Sequence, residues 1–443
     1  MNPIAVSSDT PQTNPLRDMV VGTLVFVALL SAIATHLLAD QRFSLIAGVC
    51  GWTAALLLWP KLKRQQRIQS LTMLTLGAAA LLWASQFQAL DWHTALSANK
   101  HLIAMLSAVT FLRLVTTHTL DSDQRHPSGP KALNQTLLGV HLFGSVINYS
   151  APMLMAERLT GGQPLKAAQA IVLSRGFAAA AFWSPFFVAM GVALTNAPGA
   201  ELVSVSLAGL PLAALALLMT RQELAGRRDL THCEGYPMQT QALKIPALLA
   251  VTILVAHELF QNIPVVTLIA ITSLTITALL LARREPAKVA THYGRHITTA
   301  LPAMQSELWL FLSAGVLATG INAVVHSTGF ALSISHAGAL EISLYLLLAC
   351  VLALLAIHPV IIIASAGNLL MPLVDSPNLL ALAFLMTWVL GVGGSPFSGL
   401  NLSMASRFQM NNLDFCRWNM GYSLKLYLLC AAALFVYDWT GWL

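Results

Sequence analysis

The sequence predicts an all-α polytopic membrane protein with 11 transmembrane helices and two re-entrant hairpins set among them. Three observations carry that prediction. The chain is 56% hydrophobic and 9% charged, where a soluble domain carries about 25% charged residues. Apolar runs of about 20 residues recur along its length, each enough to cross roughly 30 Å of hydrocarbon. The basic residues fall on one side of the layout those runs define.

The crossings are expected at 19–38, 43–60, 71–90, 99–116, 165–195, 201–220, 245–260, 263–282, 305–325, 378–406 and 419–436. Two further apolar stretches, 133–159 and 339–374, carry "INYSAP" (147–152) and "IHP" (357–359) near their middles. Polar and helix-breaking residues there predict hairpins that return to the side they entered from. With the N-terminus inside, all of the 24 Lys and Arg except Arg42, Lys100 and Arg175 lie on the cytoplasmic side. Turning either hairpin into a full crossing would invert every later loop and break that pattern. The formal charge of +6 is therefore a topology signal and not nucleic-acid affinity. Met19–Leu38 is long for a signal-peptide core and reads as a retained helix. The expected location is the cell inner (plasma) membrane, with the N-terminus cytoplasmic and the C-terminus outside.

An internal repeat organises the chain. Ser184-Pro185-Phe186 and Ser395-Pro396-Phe397 each follow a helix opened by a proline, Pro164 or Pro377. A hairpin precedes each helix, and "HLIAMLSAVTFL" (101–112) and "LWLFLSAGVLATG" (308–320) precede the hairpins. One closing helix follows each break, with Gly209 matching Gly421. The resulting units are a cytoplasmic tail (1–18), a first repeat (19–220), a linker (221–244) and a second repeat (245–443). In the layout above the equivalent helices are opposed, so this is an inverted-topology repeat. Such repeats place a binding site near the midplane, between broken helices and hairpin tips.

Within a membrane, backbone may leave the helical ladder only where protein or a water-filled cavity satisfies it. Gly391, Gly393, Gly394 and Gly399 around Pro396 permit an unwound loop and close approach of a ligand. The half-helix beginning near Pro396 is expected to present free N–H groups to an anion, and the half-helix before it free carbonyls to a cation. Ser395, Ser398 and Asn401 add polar side chains at the same depth, and Ser184, with Trp183 as a wall, does so in the other half. Hairpin tips contribute Asn148, Tyr149, Ser150 and His358. His358 is either a proton- or substrate-coupling group or a cap on its turn. Arg175, a cation in mid-segment, either meets an anion or pairs with protein. Glu307 is either an intramembrane carboxylate or a residue at the interface. The five cysteines (Cys50, Cys233, Cys350, Cys416, Cys430) show no metal-ligand spacing, and because four sit in apolar segments the reading is small buried hydrophobes. No HExxH, phosphate loop or nucleophile elbow is present, so neither an enzyme nor a cofactor is expected beyond Na+ or H+ as coupling ion.

The segments "ELWLFLSAGVLATGINAVVHSTG", "LALLAIHPVIIIAS" and "LMTWVLGVGGSPFSGLNLSMA" resemble the second half of the ion transporter superfamily, which includes arsenite and citrate carriers and divalent anion–sodium symporters. The resemblance covers roughly 99–220 and 305–436. It implies 11 helices with a hairpin in each half, a homodimer held by scaffold helices, and a transport domain that moves as an elevator. Family hairpin tips carry Ser-Asn-Thr or Asn-Thr-Pro; of these only Asn148 has its amide here, and His358-Pro359-Val360 stands in the second. The family's Asn-x-Thr after the second break is missing beside Gly394-Ser395-Pro396. These departures leave the coupling ion open between sodium and proton. The expected function is secondary active transport of a small anionic solute through the lipid bilayer. The alternatives are a sodium–proton or other cation exchanger on the same fold and, with least support, an integral membrane enzyme acting on lipid-linked substrates.

Overall fold

The structure is a computed structural model that describes residues 14–90, 92–116, 127–160, 164–225, 230–237, 244–330 and 334–442. The expected tail up to residue 13, Arg125, and residues 226–229 and 238–243 of the linker lie outside them. The described residues form α-helices α1 (Pro15–Leu37), α2 (Arg42–Leu58), α3 (Arg64–Ala84), α4 (Trp92–Leu96), α5 (Lys100–Phe111), α6 (Arg113–Thr116), α7 (Pro130–Ile147), α8 (Ser150–Thr160), α9 (Ala167–Ala180) and α10 (Val188–Asn196). There follow α11 (Leu202–Ala225), α12 (Lys244–Leu259), α13 (Val265–Arg284), α14 (Val289–Thr299), α15 (Gln305–Thr328), α16 (Ala339–Leu354), α17 (Pro359–Leu370), α18 (Pro377–Gly394), α19 (Gly399–Arg407) and α20 (Asn412–Thr440).

Among the described residues, 8 helical stretches are long and apolar enough to cross a membrane, so the chain is a multi-pass membrane protein. Three of the expected crossings are not among the eight, each for a local reason. The third crossing falls on α3, which begins with the polar run "RQQR"; the α9–α10 pair is split; and α12 has only 16 residues. Hydropathy also misses α14, because its apolar residues occupy one face only. Tyr293 donates to Leu274 O (2.6 Å) and His296 Nε2 bonds Thr110 Oγ1 (2.8 Å), while Arg295 is exposed.

Helix starts follow from side-chain caps and prolines. Pro15, Pro130, Pro359 and Pro377 stand in the first turn, where a missing N–H costs nothing. Asn14, His358, Ser376, Ser398 and Asn411 each accept a backbone N–H of the helix they open.

Contacts fix the directions of the helices. Asn99 Nδ2 donates to Phe311 O (2.8 Å), while Ile103 and Ser107 share a small space with Glu307 and Leu308; α5 and α15 are therefore antiparallel. Ala178 of α9 meets Gly393 of α18, and Glu201 N, just past α10, donates to Asn378 Oδ1 (2.7 Å), so the two broken helices are also opposed. Tyr437 and Tyr422 of α20 reach Ala208 O (3.0 Å) and Ala216 O (3.4 Å) of α11, again antiparallel. All three pairs are those the sequence repeat equates.

The chain doubles back at both expected tips. Gly235 N donates to Pro127 O, before α7, and Gln169 Nε2, just inside α9, donates to Glu234 O (3.0 Å). One short segment thus touches the entry to α7 and the start of α9, and α8 is the returning limb. In the second half the mouth is closed directly, because Ala337 N donates to Leu373 O (2.8 Å). The turns use left-handed backbone at Asn148 (φ 50°) and Ala356 (φ 69°). The broken helices lie innermost. Every residue from Leu379 to Gly394, and from Ala168 to Ala180, is buried; the first stretch is apolar on all sides, while the second carries Arg175 inward to protein partners.

Candidate functional site

At the first break α9 stops at Ala180 and α10 starts at Val188. Ser184, 1% exposed, donates through Oγ to Ser145 O of α7 (2.5 Å) and accepts from Phe186 N (3.3 Å). At the second break Ser395 Oγ donates to Ala353 O of α16 (2.7 Å) and accepts from Phe397 N (3.2 Å). The same serine in the same tripeptide thus pins each broken helix to the outgoing limb of its own hairpin, and its hydroxyl replaces a lost helical acceptor. Asn148 reinforces the first junction by donating Nδ2 to Phe186 O (2.9 Å).

The carbonyl end of the second break is already engaged by protein. Asn401 Nδ2 donates to Ser395 O (2.9 Å) and Val392 O (3.3 Å), and Asn419 Nδ2 donates to Gly393 O (2.8 Å). Ser398 Oγ accepts from Asn401 N (3.2 Å), and the half-helix begins at Gly399, three residues later than the sequence placed it. The glycines serve neighbouring helices. A Cβ on Gly394 would lie 2.8 Å from Ser423 Oγ of α20, and one on Gly391 2.8 Å from Pro359 of α17. Around Gly399 there is open space. A Cβ on Gly209 would run into the Phe182 carbonyl, whereas one on its expected counterpart Gly421 would meet nothing within 4 Å; the two glycines differ in packing.

Arg175 holds the second break from a distance. Its side chain is buried, and Nε donates to Asn419 Oδ1 (2.7 Å), Nη1 to Glu223 Oε2 (2.6 Å) and Nη2 to Trp418 O (2.8 Å). The guanidinium also stacks 4.1 Å from the centre of the Tyr422 ring. All three nitrogens are bound to protein, in the pairing arrangement. His358 likewise adopts the capping arrangement: Nδ1 accepts from Val360 N (3.2 Å), and the ring stands edge-on to Trp388 at 5.6 Å.

The tip of the first hairpin reaches the second break. Tyr149 OH approaches Gly399 O (3.4 Å), and Glu157 of α8 pairs with Arg407 of α19 (2.9 Å). Asn148, Tyr149, Ser184, Ser395, Ser398 and Asn401 therefore gather at the two breaks, with Ser150 opening α8 beside them. Gly394 is packing, and Arg175 and His358 flank the group. Asn148 Oδ1 and Asn401 Oδ1 are both buried without a hydrogen-bond donor, which costs about 1–3 kcal/mol per atom. Amide oxygens of this kind are hard ligands for a cation such as sodium. Among the described residues no group of three or more His, Cys, Asp or Glu is placed to hold a metal ion.

Two participants were missed from sequence. His141 accepts from Trp183 Nε1 at Nε2 (3.1 Å), so it carries its proton on Nδ1 and donates it to Gly176 O (3.2 Å). Its spacing of four from Ser145 put both on one face of α7, a signal that was available. Asn419 bridges Arg175 to the break and has no local signature. No protein-family model matches the chain, and no curated protein matches it.

Proposed function

We propose that the protein is a secondary active transporter that moves a small anionic solute, organic or inorganic, coupled to a sodium or proton gradient. In this reading it has 11 membrane helices and two re-entrant hairpins in an inverted-topology repeat. It sits in the plasma (inner) membrane with a cytoplasmic N-terminus and works as a homodimer whose hairpins and broken helices move as an elevator. The observation that carries the reading is the pair of matched Ser-Pro-Phe breaks, opposed in direction and each clamped to the outgoing limb of a hairpin. Half-helices α10 and α19 both begin at the breaks, so their positive dipole ends suit an anion. The donor-less oxygens of Asn148 and Asn401 suit a coupling cation.

Purified protein in liposomes is expected to accumulate a labelled anion only when a sodium or proton gradient is imposed. Flux without a gradient, or no flux of any anion under either gradient, would count against the proposal. One observation favours a second reading, a sodium–proton or other cation exchanger. Arg175 is bound to Glu223 and Asn419, which leaves an anion to backbone and hydroxyl donors alone. Counter-transport of protons and sodium with no organic solute present would decide for that reading.

A further inference from the structure

A cavity of about 950 Å³ lies away from the breaks, bounded by α1, the α1–α2 turn, α4, the first turn of α5, the α12–α13 turn and the end of α10. Its lining includes Lys100, His36, His93, His101, His257 and Gln261, and among the described lining residues none is acidic. The His36 and His101 rings stack at 4.5 Å, and Lys100 is within electrostatic reach of both. Lys100 is half-buried and forms no side-chain hydrogen bond or ion pair among the described residues. His257 Nδ1 is buried without a partner.

An ammonium partly withdrawn from water is unfavourable without a counter-charge, and the described lining residues offer none. Neutral imidazoles each supply an N–H donor and a protonated one supplies two, so every titratable group on the wall can donate. The first turn of α5 adds its N-terminal dipole at Lys100 and His101. Lys100 is also one of the three cations that the charge asymmetry leaves away from the basic side, an exception that a local anionic ligand accounts for. The lining also takes in Leu194 and Thr195 of α10, which lie six and seven residues beyond Val188, where that helix starts, roughly 10 Å along the helix axis.

We propose that this cavity is a second, separate binding site for a small oxyanion carrying carboxylate or phosphate groups, held by Lys100 and the surrounding imidazoles. Because it joins α10 to α1, α5 and α13, a bound oxyanion links the helix that leaves the first break to the helices beside it. The inference concerns binding and does not rest on the transport reading.

The test is thermal unfolding of the purified full-length chain in detergent, titrated with inorganic phosphate, sulfate, succinate and citrate against chloride at matched ionic strength. Short-chain phosphatidylglycerol serves as the lipid-headgroup arm. Saturable stabilisation by at least one oxyanion is expected; a response to the lipid alone would assign the source as a headgroup. Lys100→Gln is expected to raise the half-saturating concentration at least tenfold, and Lys100→Arg to restore it. Gln261→Glu puts a carboxylate on the exposed rim and is expected to weaken binding even where Lys100→Gln does not fold. Gly421→Ala, on α20 with open space around an added Cβ, is expected to leave the titration unchanged. Absence of saturable stabilisation by every probe, or unchanged binding in Gln261→Glu together with Lys100→Gln, would overturn the proposal. Loss of stabilisation in Ser395→Ala with retention in Lys100→Gln would move the anion to the breaks and overturn it equally.

Discussion

The two breaks share a skeleton and differ in what surrounds it. At the first, seven residues from Ala181 to Phe187 leave the helix, and the neighbours are neutral: Asn148, Ser145, and the Trp183–His141–Gly176 relay. At the second, only Ser395–Ser398 leave it, and the loop is tied by Asn401 and by Asn419 to a charged clamp, Arg175–Glu223. The hairpin tips differ in the same sense. Asn148 keeps an amide oxygen without a donor, while the His358 ring is committed to capping α17. A repeated backbone plan thus carries unequal chemistry. Around the breaks, the amide oxygens without a donor are those of Asn148 and Asn401, and Tyr149 reaches Gly399 O where the first hairpin meets the second break.

The largest expected effect comes from cutting the charged clamp. Arg175→Met breaks the ion pair with Glu223 and takes the donor from Asn419 Oδ1 and the Trp418 carbonyl, and a loss of about 3 kcal/mol is expected. Thermal unfolding in detergent measures it; a melting temperature equal to wild type would mean that the clamp is not structural. Next is Gly209→Ala, whose Cβ would run into the Phe182 carbonyl oxygen. Displacing backbone at the first break is expected to cost about 1–3 kcal/mol, whereas Gly421→Ala, with open space, should be neutral by the same assay. An equal effect at the two glycines would erase the asymmetry.

Smaller still are Ser184→Ala and Ser395→Ala, each removing one donor from a buried carbonyl for about 1 kcal/mol. If ligand chemistry lies at the second break, Ser395→Ala reduces transport in liposomes more than Ser184→Ala does at equal stability. Equal rates would make both serines purely structural. The smallest effect separates cap from coupling group at His358. Asn caps as well as any residue, so His358→Asn should match wild type in stability while His358→Ala loses about 1 kcal/mol. Unaltered pH dependence of transport in His358→Asn would remove this imidazole from proton coupling.

Much of the backbone plan was legible because its causes are local. Proline, glycine and serine inside an apolar run mark a break wherever the helix packs, and "INYSAP" and "IHP" mark turns for the same reason. What could not be read was which groups meet. Arg175 finds Asn419 from 244 residues away, and nothing in the neighbourhood of either residue names the other. The glycines of "GVGGSPF" promised room for a ligand, yet Gly391 and Gly394 admit Pro359 and Ser423, because a missing side chain does not say what fills its space. Amphipathic α14 escaped because a mean over its residues cancels the face that packs.

The hydrogen bond between Ala337 and Leu373 makes the second hairpin a loop with a fastened neck. The chain leaves this unit where it came in, so the unit adds length without displacement, and α18 would run in the same direction if the loop were shortened or lengthened. The neck keeps the threading of the rest of the chain whatever stands at the tip, so a change there meets only its local contacts, among them the α17 cap and Pro359 against Gly391. That is the freedom a position such as His358 needs if a residue there is to change the chemistry at the breaks without rebuilding the protein.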